Sequence, residues 1–246
     1  MAANVWAIAK REFASYFNSA IAYLSIAVFL VMVGAAFFWW GPPLEEGGGF
    51  FEAGQASMRT FFQWIPLLFI FLLPAISMRL MSEEKRTGSF ELLITMPVRD
   101  IEVLLGKLLG AFMFLEVALA LTLAYPVAIS MLGPLDWGPV IGGYIGSLLL
   151  GLAYLSIGLM TSCWTRNQIV AFLLSVMICT FFYFIDEMAG AFEAELRETV
   201  AVLSFKAHFA NVARGVLDTR DVIFYLSVTT TALIIGNYSV ESRRYV

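Results

Sequence analysis

The sequence predicts an all-α polytopic membrane protein. Six transmembrane helices are expected, with an N-terminal interfacial helix, a short helix between the second and third spans, and amphipathic helices on the outer side. Composition is the first reason. Of the 246 residues, 60% are hydrophobic and 14% charged, and the mean hydropathy is +0.82. A soluble domain needs more polar surface than this chain supplies. Run length is the second reason: several apolar runs reach the ~18–20 residues that cross a ~30 Å hydrocarbon core. Continuous helices satisfy their backbone groups within lipid, whereas barrel strands would be shorter and alternating.

The spans are expected at about 20–40, 61–81, 103–132, 140–163, 169–185 and 222–240. Trp39, Trp40, Trp64 and Trp137 fall near span ends, as interface aromatics do. Pro66, Pro74 and Pro126 are expected to kink the second and third spans. Gly106 and Gly110, the Gly143–Ser147–Gly151 series, and Gly158 with Ser162 mark small-residue faces for close helix approach. The whole chain, 1–246, reads as one transmembrane unit with three attachments. Residues 1–18 form the interfacial helix, in which Val5, Ala9, Phe13 and Phe17 recur every four positions. Residues 82–98 form the loop between spans two and three. Residues 186–221 form an outer loop with two apolar stripes, Phe192–Leu196–Val200–Leu203 and Phe205–Phe209–Val212–Val216. Ser204 and Gly215 are placed to start and end the second of these helices, and Asp100 and Asp221 to cap the third and sixth spans.

Orientation follows from Lys and Arg. With both termini in the cytoplasm, the inner side holds Lys10, Arg11, Arg79, Lys85, Arg86, Arg99, Lys107, Arg166, Arg243 and Arg244. The outer side holds Arg59, Arg197, Lys206, Arg214 and Arg220, so the count is ten against five. No cleavable signal peptide is evident, and the first span is expected to act as the targeting signal. Cys163 and Cys179 lie in or near apolar spans and do not form a disulfide framework.

A search for catalysis is mostly negative. One histidine, His208, rules out a two-His zinc motif within the chain. No GxSxG elbow and no GxxxxGK[ST] phosphate loop are present. If ATP drives this protein, another chain binds it. Glu116 is the one carboxylate expected deep in a span. It reads either as a functional intramembrane group or as a glutamate hydrogen-bonded between helices. Lys107 is half a turn out of phase with it and is a poor intrahelical partner. His208 is expected on the polar face of its helix near Asn211. It is either a surface histidine or a pH-sensitive or substrate-contacting one.

The segment SEEKRTGSFELLITMPV, 82–98, is the most distinctive. Four charges, Glu83, Glu84, Lys85 and Arg86, precede a break at Thr87-Gly88. Phe90, Leu93, Ile94 and Pro97 then repeat at i, i+3, i+4, i+7, with Glu91 in the first turn. That spacing gives an apolar face suited to a groove on a partner. With the following RDIEVLLGKLLG, the segment resembles the coupling-helix region of type-2 ABC transporter permeases. HFANVARGVLDTRDVIFYLS, 208–227, and the terminal ESRRY, 241–245, are similar to the gliding-motility-associated branch of that family, although Tyr245 stands where the branch has tryptophan.

The resemblance implies a non-enzymatic permease in the cell inner membrane. A separate ATPase chain would bind ATP and Mg, no cofactor would sit on this chain, and a second permease copy or homologue would complete the assembly. Contacts with lipid and with an outer-side auxiliary protein are compatible with it, and nucleic acid is not a partner. Residues 83–88, with Phe90, Glu91, Leu93, Ile94 and Pro97, would couple the ATPase to the spans. Apart from the resemblance, the closeness of the Phe205–Val216 stripe to the sixth span lets Phe205, His208, Phe209 and Val212 be read as an outer gate or as a passive helix shielding the bundle from lipid headgroups. Export of a substrate and mechanical transmission of ATP-driven motion to an outer-side partner both remain open.

Overall fold

A computed structural model describes residues 2–43, 50–53, 57–89, 98–189, 200, 202–216 and 218–242. Among these, all regular structure is helical. Helix α1 spans Ala2–Phe17 and α2 spans Ala20–Ala35, continued by a wide π turn over Ala36–Trp40. A single turn, α3, covers Phe50–Ala53. Helices α4 (Arg59–Ser77) and α5 (Arg79–Thr87) follow, then α6 (Asp100–Thr122) and α7 (Ala124–Ser130). Helices α8 (Trp137–Trp164), α9 (Gln168–Ala189), α10 (Phe205–Ala213) and α11 (Thr219–Glu241) complete the described chain. Six helical stretches are long and apolar enough to cross a membrane: Ala22–Trp40, Arg59–Thr87, Asp100–Ser130, Trp137–Trp164, Gln168–Met188 and Thr219–Glu241.

The second span is longer than its apolar run. The charges after Met81 suggested a loop, yet the helix resumes at Arg79 and continues to Thr87. Packing explains the difference: Leu80, Met81, Ser82 and Lys85 are buried on one side of α5, and Glu83 and Arg86 are exposed on the other. An amphipathic helix needs only one apolar face.

Helix α8 is the axis of the bundle. It packs against α4, α5, α6, α9, α10 and α11, and its glycines set how closely they come. A Cβ at Gly143 would meet the Phe62 ring at 2.5 Å, and one at Gly151 would collide with Leu115. Two serine hydroxyls of α8 are satisfied within the helix itself. Ser147 Oγ donates to Gly143 O at 2.7 Å and Ser156 Oγ to Ala153 O at 2.7 Å. An unsatisfied group in hydrocarbon would cost several kcal/mol, so these hydroxyls can sit on a span at little penalty. The helix breaks do not fall at the prolines themselves. The α4 ladder passes Pro66 and Pro74 and breaks at Met78, and the α6–α7 break at Leu123 precedes Pro126.

Helix α1 packs on α6 through Val5 and Ala9 of the four-residue stripe together with Ile8, Glu12 and Tyr16 beside it. Ala9 and Tyr16 are buried, while Phe13 and Phe17 are half-buried. Gly106 is the seat for Val5 and Ile8, and Gly110 the seat for Ala9 and Glu12. Lys10 and Arg11 are exposed on the other side. The helix caps also differ from expectation. Asp218, not Asp221, caps the sixth span, with Oδ1 accepting from the Arg220 N–H at 2.9 Å. At the third span Arg99 holds the cap position, its N–H donating to Glu102 Oε2 at 3.3 Å, while Asp100 begins the helix.

Candidate functional site

The charged extension α5 has an inner and an outer side. Glu83, Arg86 and Thr87 are exposed, Glu84 is half-buried and Lys85 is buried. Lys85 Nζ donates to the carbonyl of Cys163 at the end of α8. Ser239 Oγ of α11 donates to the same carbonyl at 3.3 Å. Basic residues in the last turn of α5 also suit the negative end of its dipole. Gly88 then takes φ +77°, a left-handed value that favours glycine. It ends the helix. Phe90, Glu91, Leu93, Ile94 and Pro97 lie outside the described residues.

Glu84 reaches a group that the sequence did not connect to it. Its Oε1 lies 2.8 Å from Lys107 Nζ. Lys107, 2% exposed, also lies 3.4 Å from Glu12 Oε2. One buried ammonium thus joins α5, α6 and α1. Two carboxylates around it supply the compensation that a buried charge requires. Nearby, the Arg79 guanidinium stands 4.6 Å over the Tyr16 ring, an added cation–π tie between α5 and α1. Burial pushes the Tyr16 phenol well above its ordinary pKa, so it stays a neutral donor. Its hydroxyl donates to Ile76 O at 3.4 Å.

The break between α4 and α5 is built by the fourth span. Ser162 Oγ donates to Met78 O at 2.8 Å. It accepts from the N–H groups of Met81 at 3.0 Å and Ser82 at 2.9 Å. One hydroxyl is thereby inserted into the backbone ladder, a recognised cause of helix bending. One turn earlier, a Cβ at Gly158 would fall on Ser77 Oγ. The base of the second span is therefore seated directly on the fourth.

Glu116 is exposed on the outside of the bundle, on the same face as Leu109 and Ala120. This removes the reading in which it packs between helices of this chain. Lys107 points the other way, into the Glu12–Glu84 pair.

At the opposite end of the bundle, Phe205, Phe209 and Val212 are buried. They hold α10 against the chain's own helices and do not face outward. A Cβ at Gly142 of α8 would strike Val212 O, and one at Gly146 would meet Val212 Cγ1 at 3.1 Å. Ser204 caps α10, with Oγ accepting from the Ala207 N–H at 3.2 Å. Gly215, at φ +85°, turns the chain after it. Val216 falls beyond the helix and is exposed.

His208 is not the surface residue that its polar neighbours suggested. Its Nδ1 lies 2.5 Å from Asp221 Oδ1 and its Nε2 lies 2.9 Å from Val202 O. Its ring stacks on Phe224 with centroids 4.0 Å apart. Both ring nitrogens thus lie within hydrogen-bond distance of an oxygen. The Asp221 side chain is 3% exposed. The pair ties α10 to the start of the sixth span, as does Tyr225 Oη donating to Phe205 O at 3.2 Å.

The described residues contain no cluster of three His, Cys, Asp or Glu side chains able to hold a metal. At one end of the bundle the charged extension α5 is tied to the third and fourth spans, and at the other α10 is tied to the fourth and sixth. Residues 43–194 match the family model described as ABC-2 family transporter protein. Comparison with curated proteins finds no match. The matched segment covers more than half of the chain and contains the charged extension and spans two to five. The chain belongs to the ABC-2 transporter family, whose members are multi-pass permease components of ABC transporters.

Proposed function

We propose that this permease couples ATP hydrolysis on a separate ATPase chain to export of a substrate, and that the motion enters through α5. The observation that carries this reading is the seating of α5. Lys85 binds the Cys163 carbonyl, Ser162 is inserted at the Met78 break, and Glu84 pairs with Lys107. A push on the chain just beyond Gly88 is delivered to the second, third and fourth spans together. The segment 89–97 supplies the docking face, through Phe90, Leu93, Ile94 and Pro97, with Glu91 suited to the positive end of its short helix. Both termini and the ATPase are assigned to the cytoplasm, and the membrane is the cell inner membrane.

Glu116 is assigned to the side of a second permease copy or homologue, because an ionised carboxylate facing hydrocarbon is expensive. Helix α10, tied to the fourth and sixth spans, follows their tilt as an outer gate element. The proposal extends to the gliding-motility-associated branch, which 208–227 and the 241–245 ending resemble.

Gly88→Pro removes the left-handed turn, since proline cannot adopt φ +77°, and Glu91→Arg reverses the charge in the docking turn. Each variant, co-purified with the ATPase in liposomes, is expected to insert normally and to lose most of the ATP-driven activity. Wild-type activity in both would remove the coupling assignment. ATPase activity that rises with added substrate supports export. ATPase activity that rises only with an outer-side protein would instead mean transmission of motion.

A further inference from the structure

The end of the bundle away from α5 holds a cavity of about 760 Å³. It opens between the start of α4, the start of α8, the end of α9 and the length of α10. We propose that this cleft is a binding site for an anionic amphiphile, a lipid with a phosphate or carboxylate head. The proposal goes beyond the coupling reading and does not rest on it.

Charge is the first argument. Arg59, Lys206 and Arg214 line the cleft against one acid, Glu187. Lys206 is spent on Glu187, at 2.5 Å. Arg214 bonds only neutral oxygens, Ala210 O at 3.0 Å and Asn211 Oδ1 at 3.4 Å. Among the described residues no carboxylate pairs with Arg59 or Arg214, and both are exposed. Within the described residues the cleft therefore carries two guanidinium groups without a carboxylate partner, the side chain best shaped to bind phosphate or carboxylate with two parallel bonds.

Depth is the second argument. Arg59 is the first residue of the second span, and Pro66 lies seven positions further into it. Pro66, Phe209 and Ala213 give the cleft an apolar floor beneath the cationic rim. Such a gradient, from guanidinium to aliphatic over ~10 Å of helix, matches the gradient within one lipid molecule. A free inorganic anion would use the rim and leave the floor wet.

A third observation points to a ligand with hydrogen-bonding donors near its head. Gln63, on the cleft wall, has its Oε1 buried with no hydrogen-bond partner. A buried acceptor is costly when unmet. A glycerol-type or sugar hydroxyl beside the anionic group would supply the missing donor. Tyr183, whose ring is buried, lines the same cleft.

The test uses the full chain purified in neutral detergent. It is titrated separately with short-chain phosphatidylglycerol, short-chain phosphatidylcholine, inorganic phosphate and a poly-glutamate peptide, and bound molecules are counted by native mass spectrometry. Phosphatidylglycerol is expected to bind saturably, at least about tenfold tighter than phosphatidylcholine or phosphate. Arg59→Gln with Arg214→Gln is expected to weaken it by about tenfold or more. Both positions are exposed, so the fold should survive, and Arg59→Lys with Arg214→Lys should retain part of the affinity. Arg220→Gln, an exposed change at the same end outside the cleft, should leave binding intact. Equal binding of the two lipids, or full affinity in the double glutamine variant, would overturn the proposal. Phosphate binding as tightly as the lipid would reduce the site to a simple anion site. Poly-glutamate binding that needs both arginines, in the absence of lipid binding, would assign the cleft to an acidic protein segment instead.

Discussion

Lys107→Met should separate α1 and α5 from the third span and abolish ATP-driven activity. Lys107 is the only cation within ion-pair distance of Glu12 and Glu84 among the described residues. Removing it leaves two like charges facing an apolar side chain, 16% and 19% exposed. Breaking a buried pair by removing one partner costs about 3–5 kcal/mol. A fall of that order in unfolding free energy is expected in detergent, along with new protease cleavage near Phe17 and Thr87. The compensating variant decides the cause. Adding Glu12→Gln and Glu84→Gln removes the unpaired charges, and replacing a whole buried ion cluster by neutral groups is often tolerated. The triple variant should recover most of the stability. Equal destabilisation in the single and triple variants would mean that Lys107 matters for its shape and not for its charge.

Gly158→Ala should be the most damaging single methyl group in the bundle. The new Cβ would fall on Ser77 Oγ and lie 2.8 Å from Ser77 Cβ. Ser77 cannot easily turn away, because its Oγ donates to Leu73 O at 2.7 Å and the residue is fully buried. Overpacking of this kind costs about 1–3 kcal/mol. The functional loss should be larger than the stability loss, since the displaced segment adjoins the Met78 break. Ser77→Gly removes the colliding side chain at a helix cost of about 1 kcal/mol. The pair Gly158→Ala with Ser77→Gly should therefore recover activity that Gly158→Ala alone loses. No recovery in the pair would place the damage elsewhere than at this contact.

The six spans were legible in the sequence because lipid imposes one requirement, length of apolar helix, which a linear reading measures directly. The small-residue faces were legible for a similar reason: close approach demands small side chains wherever the partner lies. The partners themselves were not legible. Glu12 and Lys107 are 95 positions apart, and nothing local at either residue announces the other. The length of α5 was misjudged because its polar exposed side dominates its composition, while the buried side is defined only by contact with α8.

His208 was misjudged in the opposite direction. It lies off the main apolar stripe, toward Asn211, but the residue that captures it, Asp221, comes from the next helix and reads in the sequence as a cap. Asp218 takes that role three residues earlier. Glu116 stands out in the sequence as a carboxylate within a span. Its exposure could not be read from the sequence, because the helical phase that buries Gly110 and Phe114 is set by α1 and its neighbours.

The central claim is that α5 is seated on the fourth span and moves with it as one body. It is tested most directly by the distance between spin labels on Thr87, at the end of α5, and Asn167, just after α8. Both residues are exposed. The measurement uses the permease assembled with its ATPase in lipid nanodiscs, first without nucleotide and then with trapped ATP. The expected result is a Thr87–Asn167 distance that stays fixed while a label on Arg220, at the far end, shifts relative to both. A change of more than about one helical turn, ~5 Å, between Thr87 and Asn167 would show that α5 slides over the fourth span and would contradict the claim.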